Sequence, residues 1–308
     1  MKNHKGHLFL VFTFAILLST ASCNQTAAIP TATIAPTATL APTATAAPAI
    51  QPGDSERKLM VNDLERSYLI HIPPGLNSQQ PVPVIFAFHG YSSTPYQMQT
   101  VTEFDNVADL ANFLVVYPKG VEYSWNTGEK GPGSAIAQNV DEPAFIRQML
   151  SDLDTIANID PKRIYAVGWS QGGALVYRLA CDMSDTFAAI ASVSGPMEYS
   201  ACQPPQAVSV IHVHGLADTT VPYSGGGSYD RSPVEQGIAT WVQLDDCTGS
   251  AQVEKPTNII THTAYASCQA GTAVELYTID SGRHDWPYKH VWPASEIIWD
   301  FFEAHPKP

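Results

Sequence analysis

The feature that most constrains this chain is the segment Gly168-Trp169-Ser170-Gln171-Gly172, which joins a strand-like run to a helix-like run. The apolar residues Ile164–Val167 precede it, and Gly173–Leu179 follow it. Small residues on both sides of a serine let the backbone turn sharply, so the hydroxyl projects from the strand end toward the first N–H groups of the helix. The segment therefore predicts a strand, a nucleophile elbow at Ser170, and a helix.

Short apolar runs recur along the chain at the spacing of alternating strands and helices. Several contain no polar residue, which is typical of strands buried on both faces of a mostly parallel sheet. The predicted strands are Tyr68–Ile72, Val84–Phe88, Leu114–Tyr117, Ile164–Val167, Ala188–Val193, Val208–Val213 and Val274–Ile279. Helical spacing of apolar residues follows in 145–156, 234–241 and 297–302. The pattern predicts an α/β fold with helices on both faces of the sheet. Leu59–Val61 and Tyr68–Ile72 flank Asn62-Asp63, which predicts an initial antiparallel hairpin.

The first residues have the pattern of an export signal. Lys2 and Lys5 precede the apolar run Leu8–Leu18, and the small residues Ser19–Ser22 follow it. The run is too short to span a bilayer as a helix. We therefore expect residues 1–23 to direct the chain out of the cell.

Cys23 follows the small residues directly, as the acceptor cysteine of a bacterial lipoprotein does. This position predicts a lipid on Cys23 and a protein tethered to the cell surface. Thr20 stands where such signals usually carry leucine. Cleavage after Ala21, which leaves a free secreted protein, is therefore the alternative.

Three hexads rich in threonine, alanine and proline follow the signal, at Thr31–Pro36, Thr37–Pro42 and Thr43–Pro48. They carry no charge and no amphipathic period, and such sequences favour extended backbone at about 3.1 Å per residue. We interpret residues 24–55 as a linker and residues 56–308 as one catalytic domain.

The chain has a formal net charge of −13. This acidity argues against nucleic acid and anionic lipid surfaces as partners, and it favours neutral substrates. A membrane is expected as a partner only through a lipid on Cys23. Because no C-x-x-C or H-E-x-x-H pattern occurs, we predict no metal site.

The remaining four cysteines form an even set, and disulfides persist in the oxidising compartments that an exported protein reaches. Four cysteines allow three pairings. Nearest neighbours in sequence are preferred, which pairs Cys181 with Cys202 and Cys247 with Cys268. Reduced, buried cysteines are the alternative if the chain is not exported.

Two later loops supply partners for Ser170 in the chain order Ser, Asp, His that an elbow of this kind requires. Asp218 lies just past the strand Val208–Val213, and Val274–Ile279 leads to His284. A serine hydroxyl is a weak nucleophile until an imidazole takes its proton, and the imidazole needs a carboxylate that fixes its tautomer. We predict these three roles for Ser170, His284 and Asp218. Asp245, Asp246 and Asp280 are the alternatives for the carboxylate, and His290 is the alternative for the base.

An acyl-transfer site also needs two N–H groups that hold a developing oxyanion. We predict the N–H groups of Gln171, which follows the nucleophile, and of Tyr91, which follows an early strand. His89 is interpreted as a structural side chain of the same loop. His212 and His214 share one face of their strand, where packing or local hydrogen bonding is preferred to a metal pair.

Motifs beyond the elbow extend from Arg66 to the C-terminus. They are Arg66–Pro73, Phe88–Tyr91, Ser124–Asn126, Val140–Phe145, Asp160–Arg163, His214–Asp218, Val221–Tyr223, Trp241–Cys247 and Gly282–Pro287. With these motifs the chain resembles the polyhydroxybutyrate depolymerase and feruloyl esterase family of exported α/β-hydrolases, within carbohydrate esterase family 1. The resemblance implies the α/β-hydrolase fold and matches Ser170, Asp218 and His284 to the family's triad. Both preferred cysteine pairs agree with the family's spacing.

The resemblance implies a serine carboxylesterase that removes feruloyl or acetyl groups from plant polysaccharide and needs no cofactor. A polyhydroxybutyrate depolymerase with the same triad is the first alternative, with polyester as substrate. A noncatalytic surface protein that binds glycan or polymer is the second.

The chain departs from the family around the expected substrate pockets. Trp169 and Gln171 stand where leucine and asparagine are frequent, and a pair of cysteines expected after Trp125 is replaced around Glu129–Gly131. Asp285–Tyr288 replaces a T-W-P-G sequence. Trp125, Trp169 and Trp286 are predicted to form an aromatic wall for a sugar or feruloyl ring, with core packing as the alternative.

Overall fold

A ten-stranded sheet forms the centre of the computed structural model, which describes residues 51–77, 79–287 and 292–308. Its strands are β1 (Gly53–Val61), β2 (Leu64–Ile72), β3 (Val82–Phe88), β4 (Leu114–Pro118), β5 (Ile159–Trp169), β6 (Ala189–Val193), β7 (Ser209–Gly215), β8 (Gln252–Glu254), β9 (Ile260–Tyr265) and β10 (Val274–Ile279). They lie in the order β1-β2-β4-β3-β5-β6-β7-β10-β9-β8. The six strands from β4 to β10 are parallel, and antiparallel strands extend the sheet at both ends. The predicted signal, Cys23, the linker up to residue 50 and His290 lie outside the described residues.

Helices cover both faces of the sheet. They are α1 (Pro95–Thr102), α2 (Phe104–Ala111), α3 (Ser134–Ala137), α4 (Glu142–Leu153), α5 (Gln171–Asp182), α6 (Val234–Leu244) and α7 (Ala294–Ala304). Side chains of α4, α5 and α6 pack in one core with Phe86, whereas those of α1, α2 and α7 pack in the other with Ile85. Neighbouring residues of one strand thus face opposite cores, so both must be apolar. Within the described ranges, no helix combines the length and apolar character needed to cross a membrane.

The predicted hairpin is formed by β1 and β2, which pair antiparallel from Gly53 with Ile72 to Val61 with Leu64. Asn62 and Asp63 form its turn with positive φ angles of 49° and 64°. Two-residue hairpin turns favour this backbone, which asparagine and aspartate tolerate. Because β1 begins at Gly53, the domain's first strand starts inside the segment that the sequence assigned to the linker.

The seven predicted strands are confirmed, and the central ones are the most deeply buried. Every residue of β3, β4, β6 and β7 is buried. β8 and β9 were not predicted, because β8 is fully exposed and most residues of β9 are only half-buried. An edge strand of this kind needs no continuous apolar run.

Two disulfides confirm the nearest-neighbour pairing of the four cysteines. Cys181 on α5 bonds to Cys202, and Cys247 beyond α6 bonds to Cys268 beyond β9, each with a sequence separation of 21 residues. The first cross-link joins the helix that follows Ser170 to the loop after β6. It therefore restrains the unfolded chain around the elbow.

Replacing both Cys181 and Cys202 by serine is expected to lower the free energy of unfolding by about 3 kcal/mol, the loop-closure value for a loop of this length. Urea denaturation of the variant and the native protein measures the difference. Native protein treated with a reductant has both disulfides open, so it should be less stable than the variant that lacks only the Cys181–Cys202 disulfide. Equal stability of the variant and the native protein would refute the stabilising role of this disulfide.

Candidate active site

Ser170 lies between the end of β5 and the start of α5 with φ 56° and ψ −116°. Few residues other than glycine adopt this backbone, which costs about 1–3 kcal/mol and occurs where the surrounding structure enforces it. Gly168 and Gly172 provide the necessary space. A Cβ atom on Gly168 would lie 2.0 Å from the Gly172 oxygen, and one on Gly172 would lie 2.1 Å from the Phe88 oxygen. The glycines of the motif are therefore required by backbone contacts.

Three side chains from separate loops meet at this elbow. The Ser170 Oγ lies 2.9 Å from His284 Nε2, and His284 Nδ1 lies 2.7 Å from Asp218 Oδ2. Backbone hydrogen bonds hold the two partner loops together, because Leu216 N donates to Ile279 O and Ala217 N donates to Gly282 O. The structure thus brings together the three residues that the sequence singled out.

Asp218 is 4% exposed, and both oxygens of its carboxylate have hydrogen-bond partners. Oδ1 accepts hydrogen bonds of 2.8 Å from Thr220 N and Val221 N, and Oδ2 faces His284. Burial acts to raise the pKa of Asp218. The hydrogen bonds from His284 and Val221 outweigh this effect and bring the pKa below the ordinary value of 3.8. The carboxylate is therefore ionised at neutral pH, as an orienting partner for an imidazole must be.

The alternative residues do not lie at this site. Asp245 is buried beside the start of β7, where its Oδ1 accepts from Val208 N and burial raises its pKa to about 6. Asp246 and Asp280 are exposed. Within the described residues, His284 is the histidine that faces Ser170, and the alternative His290 lies outside them.

His89 fixes the loop that approaches Ser170 from β3. It is fully buried, and its Nε2 accepts from Gly120 N, so its Nδ1 carries the proton and donates to Gly90 O at 2.7 Å. Burial lowers the pKa of His89 to about 4, so the ring is neutral. The C=O of Gly90 and the N–H of Tyr91 belong to one trans peptide and point in opposite directions. Because His89 holds the Gly90 carbonyl, the Tyr91 N–H points away from the His89 ring. The structural interpretation of His89 agrees with these contacts.

Gln171 has a role that the sequence did not predict. Its amide accepts from Trp125 N and donates to Trp125 O and Pro132 O, at 3.2, 3.2 and 2.7 Å. The side chain is buried and therefore fastens the loop of residues 124–133 beside the elbow. Asparagine, which is frequent at this position in the resembled family, is one methylene shorter. The longer glutamine side chain was the sequence signal from which this role could have been predicted.

The predicted aromatic wall is corrected at Trp125. Trp125 has no exposed surface, and its Nε1 donates to His89 O, so it cannot contact a substrate. Trp286 is 3% exposed and donates to Ser295 Oγ, although it lines a cavity of about 300 Å³ together with Arg283 and Asp285. Trp169 stacks on the His284 ring at 5.7 Å. A substrate contact therefore stays a prediction for Trp169 and Trp286.

Polar contacts link the loop of residues 124–133 to two neighbouring loops. Glu129 Oε1 accepts from Ser200 N at 3.1 Å and from the Ser200 hydroxyl. Lys130 Nζ donates to Asp230 O. Glu129 and Lys130 stand in the segment where the resembled family carries a pair of cysteines.

One group among the described residues has the spacing of metal ligands, with atoms of Asp54, His71 and Asp105 within 4.8 Å of one another. Both ring nitrogens of His71 already face carboxylates, at 2.7 Å from Asp54 and 3.0 Å from Asp109. Burial acts to lower the pKa of His71, but these hydrogen bonds outweigh it and the pKa is raised. Because carboxylates engage both ring nitrogens, neither is left for a metal, and the group forms a polar cluster between the hairpin and α2.

Comparisons with known proteins agree with this geometry. A family model with the description "Putative esterase" matches residues 62–295. Feruloyl esterase B of Piromyces equi is 24% identical over 259 residues, which cover 79% of this chain and 46% of that protein. Feruloyl esterase C of Emericella nidulans is 23% identical over 270 residues, covering 83% of this chain and 92% of that protein. This chain therefore spans less than half of the first relative and most of the second.

Solved structures share the fold. An acetyl xylan esterase from Aspergillus awamori superposes with a TM-score of 0.61 and 14% sequence identity, covering 81% of this chain and 99% of that one. At this level of identity the likeness concerns the fold. The predicted α/β-hydrolase fold is confirmed.

Gly172→Ala is expected to lower kcat/KM by about 10²-fold, because its methyl group forces the elbow away from the Phe88 carbonyl by more than 1 Å. Overpacking should also destabilise the protein by about 1–3 kcal/mol. Steady-state kinetics on a soluble aryl ester and urea denaturation measure the two effects. Gly75→Ala is the matched control, since its methyl group meets only the end of the Asn112 side chain at 3.3 Å. Native kinetics in Gly172→Ala would contradict the requirement for glycine.

Proposed function

Because the chain belongs to the esterase family that it matches over residues 62–295, we propose that it is a serine carboxylesterase that removes feruloyl or acetyl groups from plant polysaccharide. The hydrogen-bonded series from Ser170 Oγ through His284 to Asp218 carries the proposal. The named activities of the feruloyl and acetyl xylan esterases that the chain resembles support the substrate class.

In the acylation step, His284 Nε2 takes the proton of the Ser170 hydroxyl while Oγ bonds to the carbonyl carbon of the ester. The carbonyl oxygen becomes an oxyanion that accepts from the N–H groups of Tyr91 and Gln171. When the intermediate collapses, the bond to the alcohol oxygen breaks and His284 returns its proton to that oxygen. The sugar leaves, and the acyl group remains on Ser170.

Deacylation repeats these steps with water. His284 takes a proton from the water while the water oxygen bonds to the acyl carbon, and the same N–H groups hold the second oxyanion. Collapse breaks the bond to Ser170 Oγ, which regains a proton from His284. The products are a carboxylic acid and the free enzyme, and Asp218 keeps His284 in the required tautomer throughout.

We further propose that the protein acts outside the cell and is held at the surface by a lipid on Cys23. The leader Lys2–Ser22, its position before Cys23 and the Thr-Ala-Pro hexads support the location. Two disulfides in the described domain are consistent with an oxidising compartment.

Ser170→Ala should abolish hydrolysis, and Asp218→Asn should lower kcat by about 10⁴-fold because an amide selects the wrong imidazole tautomer. The measurement is product release from methyl ferulate, acetylated xylan and polyhydroxybutyrate. We expect turnover of the first two substrates by the native protein. Asp280→Asn is the matched control and should keep native rates, since that side chain is exposed.

The three substrates separate the proposed function from its alternatives. Hydrolysis of polyhydroxybutyrate alone would replace the proposed substrate with a polyester while keeping the mechanism. Binding of polymer without turnover of any substrate would indicate a noncatalytic surface protein. Full activity in Ser170→Ala would contradict the proposed mechanism itself.

For the anchor, cells that express the full chain should incorporate labelled palmitate into the native protein and fail to do so with Cys23→Ser. Because the lipid is the tether, the variant should appear in the medium. Fractionation of cells and medium measures the distribution. An unlabelled native protein released into the medium would defeat the anchor proposal and leave the esterase proposal intact.

A further inference from the structure

Three buried side chains behind the active site form a continuous series of hydrogen bonds. Tyr177 on α5 places its hydroxyl 2.9 Å from His212 Nδ1. His212 Nε2 lies 3.1 Å from His214 Nδ1, and His214 Nε2 lies 2.8 Å from Val221 O. The three side chains have at most 1% exposed surface, so each polar atom depends on these contacts.

The far end of the series sets the direction of every bond in it. The Val221 carbonyl can only accept, so His214 carries its proton on Nε2 and its Nδ1 must accept. His212 therefore donates from Nε2, which leaves its Nδ1 to accept from the Tyr177 hydroxyl. Burial lowers the pKa of both histidines, which keeps the rings neutral, as the series requires.

Val221 connects this series to the catalytic carboxylate. Its N–H donates to Asp218 Oδ1 at 2.8 Å, while its carbonyl is the acceptor for His214. His214 Nε2 also lies 3.6 Å from Asp218 Oδ2, the oxygen that faces His284. A single residue is thus held on one side by the series and on the other by the carboxylate that orients the base.

We propose that Tyr177, His212 and His214 are positioning residues that fix the turn of residues 218–221 and thereby the orientation of the Asp218 carboxylate toward His284. The proposal rests on the proposed function, since it assigns the series to the same triad. If His214 carried its proton on Nδ1 instead, the lone pair of Nε2 would face the Val221 carbonyl and the Asp218 carboxylate. The Val221 carbonyl, which can only accept, disfavours that tautomer, and Tyr177 with His212 supports the other one by donating along the series.

The test compares two substitutions of His214. A glutamine amide keeps one donor for Val221 O and one acceptor for His212, whereas leucine keeps neither. His214→Leu should lower kcat by about 10²-fold, the cost of displacing a catalytic group by about 1 Å, with KM unchanged. His214→Gln should recover most of that loss. If the two variants lose activity equally, or if neither loses it, the positioning role is refuted.

A second pair of variants avoids disturbing the strand. Tyr177→Phe removes the first donor and should lower kcat about fivefold, the effect of one lost neutral hydrogen bond. Tyr165→Phe is its control, because the Tyr165 hydroxyl lies buried on the other face of the sheet and has no hydrogen-bond partner among the residues that the structure describes. Equal kcat in both variants would count against the series.

A spectroscopic measurement separates positioning from general loss of structure. The proton between His284 Nδ1 and Asp218 should give a low-field NMR resonance that persists in the native protein and in His214→Gln. It should shift or broaden in His214→Leu, while the unfolding transition stays cooperative. An unchanged resonance in His214→Leu would overturn the proposal. Ser170→Ala keeps this test independent, since full activity in that variant refutes the esterase mechanism and not the series.

Discussion

The left-handed backbone at Ser170 is the constraint on which the rest of the site depends. A non-glycine residue holds φ 56° together with ψ −116° only if its neighbours enforce it, and the neighbours here are backbone atoms. Gly172 approaches Phe88 O so closely that no side chain fits between α5 and the end of β3. The same contact places Gly90 against Ser170, since a Cβ on Gly90 would lie 3.3 Å from the Ser170 Cβ. The elbow and the loop after β3 are thus in direct contact, which explains why each carries glycine at the point of closest approach.

Polar groups can be buried at this end of the sheet because backbone groups satisfy them. The carboxylate of Asp218 is held by two N–H groups, and His89 bridges an N–H and a carbonyl. Unpaired, such groups would each cost about 1–3 kcal/mol. Backbone partners also leave little conformational freedom, so each side chain has one orientation and each histidine one tautomer. Pre-organisation of this kind lets a site stabilise developing charge without rearranging.

The elements that the sequence predicted well are those whose signal is local. The runs 84–88 and 114–117 could be recognised as strands because both faces are buried, and Asn62-Asp63 specified a hairpin by turn geometry. The resemblance to the esterase family, also confirmed by the comparisons, extended this to the order of Ser170, Asp218 and His284. Trp125 was assigned wrongly because burial of a tryptophan depends on loop packing far along the chain. The directed bonds between His212, His214 and Val221 were equally out of reach, since they require the positions of three backbone segments.

The elbow and the outer part of the neighbouring 124–133 loop are held by different kinds of contact. Buried backbone atoms fix the Ser170 turn and the Asp218 carboxylate, so substitution nearby disturbs the core. The outer part of the 124–133 loop is held by Glu129 and Lys130, through exposed polar contacts to Ser200 and Asp230. Surface contacts of this type contribute about 0–1 kcal/mol each. Substitution of Glu129 or Lys130 therefore costs little stability, in contrast to substitution at the glycines of the elbow.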